Sequence, residues 1–286
     1  EAPNWGWTSL PIMGLFLLSI ISLITFIGWE KKIPHPLVEL TLFKNLTFTT
    51  LFSVLLIIQA VAIVFVFLAI FLQNVLHYSP LMAGLLLLPA MVPIMLMAPV
   101  GGHLRDKYGP TLPMFCGALL VVLSLIWIAI FSHNRGYAWL FPGLLVYGIG
   151  MPLILSGIMA TVMNMVNAQQ RGMASAIFNC ARQFGNTIGL ALLTGLLASV
   201  NKWQLNSFLH HSPVPLSRLK EQQIDGLLVQ SDQAMKAIAH LSLAHIELLK
   251  TAALNAYTNA FSMTLLAAAI LAFLSLFLIL KIPRKQ

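Results

Sequence analysis

Seven predominantly apolar stretches of about twenty or more residues follow one another from end to end of this chain, and they restrict its fold more than any other feature. They run at Leu10–Trp29, Phe48–Leu76, Leu81–Leu104, Thr111–Phe131, Ala138–Val166, Met173–Val200 and Ala260–Leu280. A hydrocarbon core roughly 30 Å thick is crossed by about 20 helical residues, so each stretch is long enough to span it. Lipid offers no water to an exposed N–H or C=O, and a helix satisfies these groups within itself. Only 8% of the residues are charged, against roughly 25% in a soluble domain. The expected fold is therefore an all-α integral membrane protein, a polytopic helix bundle.

The few charges orient the bundle. Lys31, Lys32, Lys44, Arg105, Lys107, Arg171, Lys281, Arg284 and Lys285 fall on one side, whereas the opposite short loops hold Arg135. The positive-inside rule makes the first side cytoplasmic, with the C-terminus inside and Glu1 outside. The segment from about 201 to 259 is then an external loop. Its apolar residues, from Leu219 through Ile246, predict one or two amphipathic helices on the membrane or over the bundle, a surface on which an external partner could dock. Trp5, Trp7, Trp29, Trp139 and Trp203 fall near span ends, as an interfacial aromatic belt requires. No charged n-region or cleavage site precedes the first span, and seven spans with an external N-terminus call for at least one more upstream. The expectation is a chain cut from a longer one.

Other function classes find little support. The formal charge of +8 is spread singly or in pairs between apolar runs without a basic stripe, which argues against nucleic acid. Cys116 and Cys180 lie inside apolar runs without disulfide or metal spacing, and no histidine pair has a ligand spacing. The sequence shows no nucleophile–base pair and no phosphate loop, so neither an enzyme nor an ATP-driven pump is expected.

Two places carry chemistry. The turn Gly101-Gly102-His103-Leu104-Arg105-Asp106-Lys107-Tyr108-Gly109-Pro110 joins the third and fourth spans, and Asp106 is expected at a helix start, where negative charge is favoured. In the sixth span, Ser175, Asn179, Arg182 and Asn186 are spaced four, three and four apart and share one helix face. An arginine at mid-span costs about 2.5–3.5 kcal/mol on insertion scales, so this face should line a watered cavity, unless Arg182 snorkels to the cytoplasmic headgroups. Gly185 and Gly189 form a small-residue step for close helix packing. Tyr147, Gly150, Gly157, Thr161 and Asn164 form a similar face on the fifth span, which either packs on a neighbour or lines a path. Gln59, polar at mid-span, either bonds another helix or touches substrate. Pro89, Pro93 and Pro152 are expected kink points.

The order of several motifs resembles the EmrB/QacA group of drug:proton antiporters in the major facilitator superfamily. Its residues here are Trp5-Gly6-Trp7, Trp29-Glu30, His35-Pro36-Leu37, Leu42-Phe43-Lys44-Asn45, Tyr78-Ser79-Pro80, Ala83-Gly84, Pro89, and Arg171-Gly172 through Gly189. Gly102, Asp106, Lys107 and Gly109, with Arg105, resemble the superfamily's cytoplasmic turn signature, a conformational-switch loop. The resemblance implies a linker-type span and cytoplasmic loop at 1–47 and a C-terminal six-span bundle at 48–286, the eighth to fourteenth spans of such a protein. It further implies an inner-membrane rocker-switch exporter of amphipathic small molecules, driven by the proton gradient without a cofactor. Expected partners are the missing N-terminal half, the lipid bilayer and a periplasmic adaptor protein. No Asp or Glu lies within these spans, so the coupling acid is expected in the absent half, with Arg182 tuning it. A non-transporting remnant and an uptake permease are the alternatives.

Overall fold

A computed structural model describes residues 9–30, 32–33, 39–211 and 243–282. Among these, nine α-helices follow one another: α1 (Leu10–Glu30), α2 (Leu46–Ala62), α3 (Val64–Asn74), α4 (Pro80–Leu86), α5 (Leu88–Tyr108), α6 (Thr111–Phe131), α7 (Tyr137–Met165), α8 (Arg171–His211) and α9 (Leu243–Leu280). Counting α2 with α3 and α4 with α5 as single crossings, seven helical segments are long and apolar enough to span a membrane. The protein is an all-helical membrane bundle.

Local chemistry sets many of the helix ends. Asn45 caps α2, its Oδ1 accepting from the Thr47 and Phe48 amides at 2.9 and 3.4 Å. Ser79 does the same for Met82 ahead of Pro80, which suits the first turn because its missing N–H would be unpaired there anyway. Asn167 and Gln170 form a reciprocal capping box just before α8. Gly109, at φ +78°, supplies the left-handed residue that ends α5, and Pro110 opens α6 behind it.

Two spans are broken. The break at Leu87 lies two residues before Pro89, whose nitrogen cannot donate. The break at Ile63 falls in a run without proline or glycine. Pro93 and Pro152, by contrast, sit within continuous helix, so of the three expected kink points only Pro89 coincides with an interruption.

The loop expected at 201–259 is helical at both ends. α8 runs 41 residues and α9 runs 38, so helix continues through 201–211 and resumes by Leu243. Hydropathy falls there but packing does not: Asn201, Leu205, Leu249 and Ala253 are buried at helical spacing. Most of the amphipathic stretch expected there, at 219–241, lies outside the described residues, while its last member, Ile246, falls in α9; Trp5, Trp7, Lys31, the His35-Pro36-Leu37 motif, Arg284 and Lys285 also lie outside them.

In the bundle, α6 packs on α7 and α9, α7 carries α5, and α2 carries α8, while α9 closes against α2 and α8. Close approach rests on glycine. A Cβ on Gly117 would lie 2.5 Å from the Gly150 carbonyl oxygen, and one on Gly150 would lie 2.7 Å from that of Gly117, so α6 and α7 touch backbone to backbone. Aromatic pairs fill the interior, with Phe71 stacked on Phe261 at 4.5 Å and Phe48 edge-on to Phe178 at 5.3 Å. At one end, Arg135 and His133 bond Asn255 and Asn259 of α9, and the Tyr137 hydroxyl donates to the Leu86 carbonyl at 2.8 Å. Three segments stay mostly uncovered: α1, the α4–α5 span and α8.

Candidate functional site

The open side of α8 is the candidate site. Its packed side is built from Ala174, Ile177, Phe178, Ala181, Gly185 and Gly189, all buried. A Cβ on Gly185 would meet the Leu56 carbonyl oxygen at 2.5 Å, and one on Gly189 would overlap the Ala60 carbonyl outright. These two glycines seat α8 against α2 and thereby fix which side of α8 is left uncovered. On a helix that side must begin about a quarter turn away, which is where the polar residues fall.

Ser175 and Asn186 are half-buried, while Asn179 and Arg182 are exposed. Arg182 stands eleven residues into α8, about 16 Å along its axis and so near halfway across a 30 Å core. Among the described residues it makes no hydrogen bond, and the ion pair there joins Arg105 to Asp106. The described carboxylates, Glu30, Glu39, Asp106 and Glu247, all lie at or beyond span ends. A guanidinium at this depth requires water or an acceptor from elsewhere.

Gln59 lies on α2 directly opposite Gly185, with its Cβ 2.9 Å from where a Cβ on that glycine would be. The structure therefore brings Gln59 against α8 at Gly185, the residue before Asn186 in the chain. Gln183 and Thr187 widen the stripe. Both are exposed, and with Asn179, Cys180 and Phe184 they line a shallow open depression of about 360 Å³. The sequence carries their signal, since 179, 183 and 187 are four apart on a helix.

Tyr147 sits elsewhere. It is 1% exposed, edge-on to Phe65 of α3 at 4.7 Å, and its hydroxyl has no partner among the described residues. A buried hydroxyl without an acceptor is destabilising, so Tyr147→Phe is expected to leave thermal stability of the purified protein unchanged or to raise it by about 1 kcal/mol. A clear fall in stability would reveal an acceptor. On the same helix, Gly150 faces Gly117, and Gly157 lies against Met114, whose Sδ is 3.0 Å from a Cβ placed there.

At the α5–α6 turn, the Arg105 Nε donates to Asp106 Oδ1 at 2.9 Å, and Lys107 lies over the Tyr108 ring at 5.2 Å. Asp106 is in the last turn of α5 and not at a helix start. That end of a helix dipole disfavours an anion, and the adjacent cations offset it. Gly102 has open space around its Cα, whereas Gly101 is the close-packed one, a Cβ there meeting Ser156 Oγ at 2.5 Å. Gly109 provides the left-handed turn.

Known proteins share this arrangement of sequence. The chain is 31% identical over 220 residues to the multidrug resistance protein Stp of Mycobacterium tuberculosis, covering 76% of this chain and 41% of that protein. It is 27% identical to the tetracenomycin C resistance and export protein of Streptomyces glaucescens, over 70% of this chain and 37% of that one. Against the multidrug transporter protein MdtP of Bacillus subtilis the identity is 24%, over 96% of this chain and 54% of the relative. The chain thus spans roughly half or less of the length of these relatives. With the sequence profile of the Major Facilitator Superfamily matching residues 2–190 on top of an all-helical bundle of membrane-crossing length, this chain belongs to that superfamily.

Proposed function

We propose that this chain is the C-terminal part of an EmrB/QacA-type exporter that expels amphipathic small molecules across the cytoplasmic membrane in exchange for protons, with its C-terminus on the cytoplasmic side. The observation that carries this is the uncovered polar face of α8, which holds Arg182 at mid-span with no hydrogen bond or ion pair among the described residues. Such a face is unstable against lipid and requires a solvated interior, formed here with a second bundle supplied by the remainder of the protein. The relatives' printed roles in drug resistance and export point the same way. Proton coupling needs a titratable group within the membrane, and the described carboxylates of this chain sit at span ends. The coupling acid accordingly belongs to the other bundle, within reach of Arg182.

Cells expressing the intact transporter are expected to accumulate less ethidium, a lipophilic fluorescent cation, than cells without it, and a protonophore should abolish the difference. Accumulation that falls when the gradient is collapsed would instead make the protein an uptake permease. Accumulation indifferent to both expression and gradient would remove the export proposal for this probe class.

A further inference from the structure

The capping box ahead of α8 does more than start a helix. Gln170 uses its Oε1 to accept from the Asn167 amide at 3.3 Å, which leaves its Nε2 free to donate, and that donor reaches Glu39 Oε2 at 2.6 Å across 131 residues of chain. The other carboxylate oxygen of Glu39 accepts from the Thr41 hydroxyl at 2.9 Å, and its backbone N–H meets the Met173 sulfur at 3.3 Å. One half-buried carboxylate therefore has both oxygens engaged and ties two separate elements together. Its first element is the 3-10 turn Leu40–Lys44, which leads into α2. Its second is the first turn of α8, the helix that carries the polar face.

We propose that Glu39 is a positioning residue, a cytoplasmic latch that holds the foot of α8 in register with the foot of α2. Short charge-assisted hydrogen bonds of this kind are roughly twice as strong as neutral ones and are directional. Ser175 stands only five residues beyond Gln170, less than two helical turns, so a shift at the latch passes directly to the cytoplasmic end of the polar row. The flanking contacts set which side of α8 packs on α2, but none of them is a directional bond: the seats at Gly185 and Gly189 are van der Waals contacts, and the Phe48–Phe178 ring pair is apolar. A hydrogen bond from one amide nitrogen to one carboxylate oxygen supplies the missing directional restraint. The latch rests on the exporter reading only for its purpose; the contact itself is independent of what is transported.

The test reads solvent access at Ser175 without any substrate. In the intact transporter with Cys116 and Cys180 replaced by serine and Ser175→Cys introduced, a membrane-impermeant maleimide is applied to inside-out vesicles. Glu39→Ala and Gln170→Ala should each change the labelling rate by about tenfold, as expected for losing a hydrogen bond to a charged group, and the double alanine variant should match either single one. The exchange Glu39→Gln with Gln170→Glu re-forms the pair in reverse, keeps the Asn167 acceptor and the Thr41 acceptor, and should restore the original rate. Equal rates in all variants, or an exchange variant that behaves like the alanines, would overturn the latch. Ethidium export measured on vesicles with the unsubstituted transporter separates the two proposals, because latch-dependent labelling alongside an unsubstituted protein that exports nothing would remove the exporter reading and leave the latch standing.

Discussion

Replacing Arg182 with alanine in the intact transporter is expected to cut export about tenfold or more while leaving the protein folded, and to move the pH at which export is half-maximal upward by about 1 unit or more. Folding should survive because Arg182 is exposed in this bundle and makes no bond within it, so its loss breaks nothing here and removes a costly charge from mid-span. On the proposed proton-antiport reading export should not survive, because a fixed cation beside a coupling acid would hold that acid's pKa down. The sign follows from the charge: an opposite charge within about 4–6 Å stabilises the carboxylate, so without it the acid keeps its proton to higher pH. Arg182→Lys retains the charge and should keep the midpoint near its original pH, though with weaker export, because an ammonium cannot reproduce the planar fork of a guanidinium. Initial rates of ethidium efflux at a series of pH values decide the matter. Full export with an unshifted profile in Arg182→Ala would sink the tuning role.

The second large effect concerns stability. Gly189→Val should abolish accumulation of folded protein, with a cost of about 3 kcal/mol or more. A Cβ at that position would overlap the Ala60 carbonyl oxygen and lie 2.5 Å from the Ala60 Cα, and both atoms belong to backbone. No rotamer change relieves such a clash, so α8 must lift from α2 and surrender its packed side. Gly84→Ala and Gly102→Ala are the matched controls, because a Cβ at either meets nothing within 4 Å. Detergent-solubilised yield and monodispersity on size exclusion should collapse for the first and hold for the other two; a monodisperse Gly189→Val at normal yield would show that the two helices do not meet this closely.

How far the sequence reached depends on the range of the force involved. The spans were legible because lipid acts on every residue of a crossing, and α6 runs between the same residues as its apolar stretch, Thr111–Phe131. The caps at Asn45, Ser79 and Asn167–Gln170 act within four residues, but the apolar runs that mark the spans do not reveal them. The interruption at Leu87, by contrast, follows from Pro89. Ile63 was not legible: nothing in Gln59-Ala60-Val61-Ala62-Ile63-Val64 breaks a helix, and the break comes where the tertiary fold presses Gly189 of α8 onto Ala60. Hydropathy also missed the outer turns of α8 and α9, because it records the solvent and not the neighbour; Asn201 and Leu205 are buried by protein. The α8 stripe was readable as a row, yet its relation to Gln59 and to Glu39 depends on segments more than a hundred residues away in the chain.

The uninterrupted run of α8 gives its two ends very different leverage. At 41 residues the helix is a rod of about 61 Å. A tilt of about 10° about its N-terminal foot sweeps the far tip through about 10 Å, while the arginine a quarter of the way along moves less than a third of that distance. Small adjustments where the rod is anchored are therefore magnified at its far end.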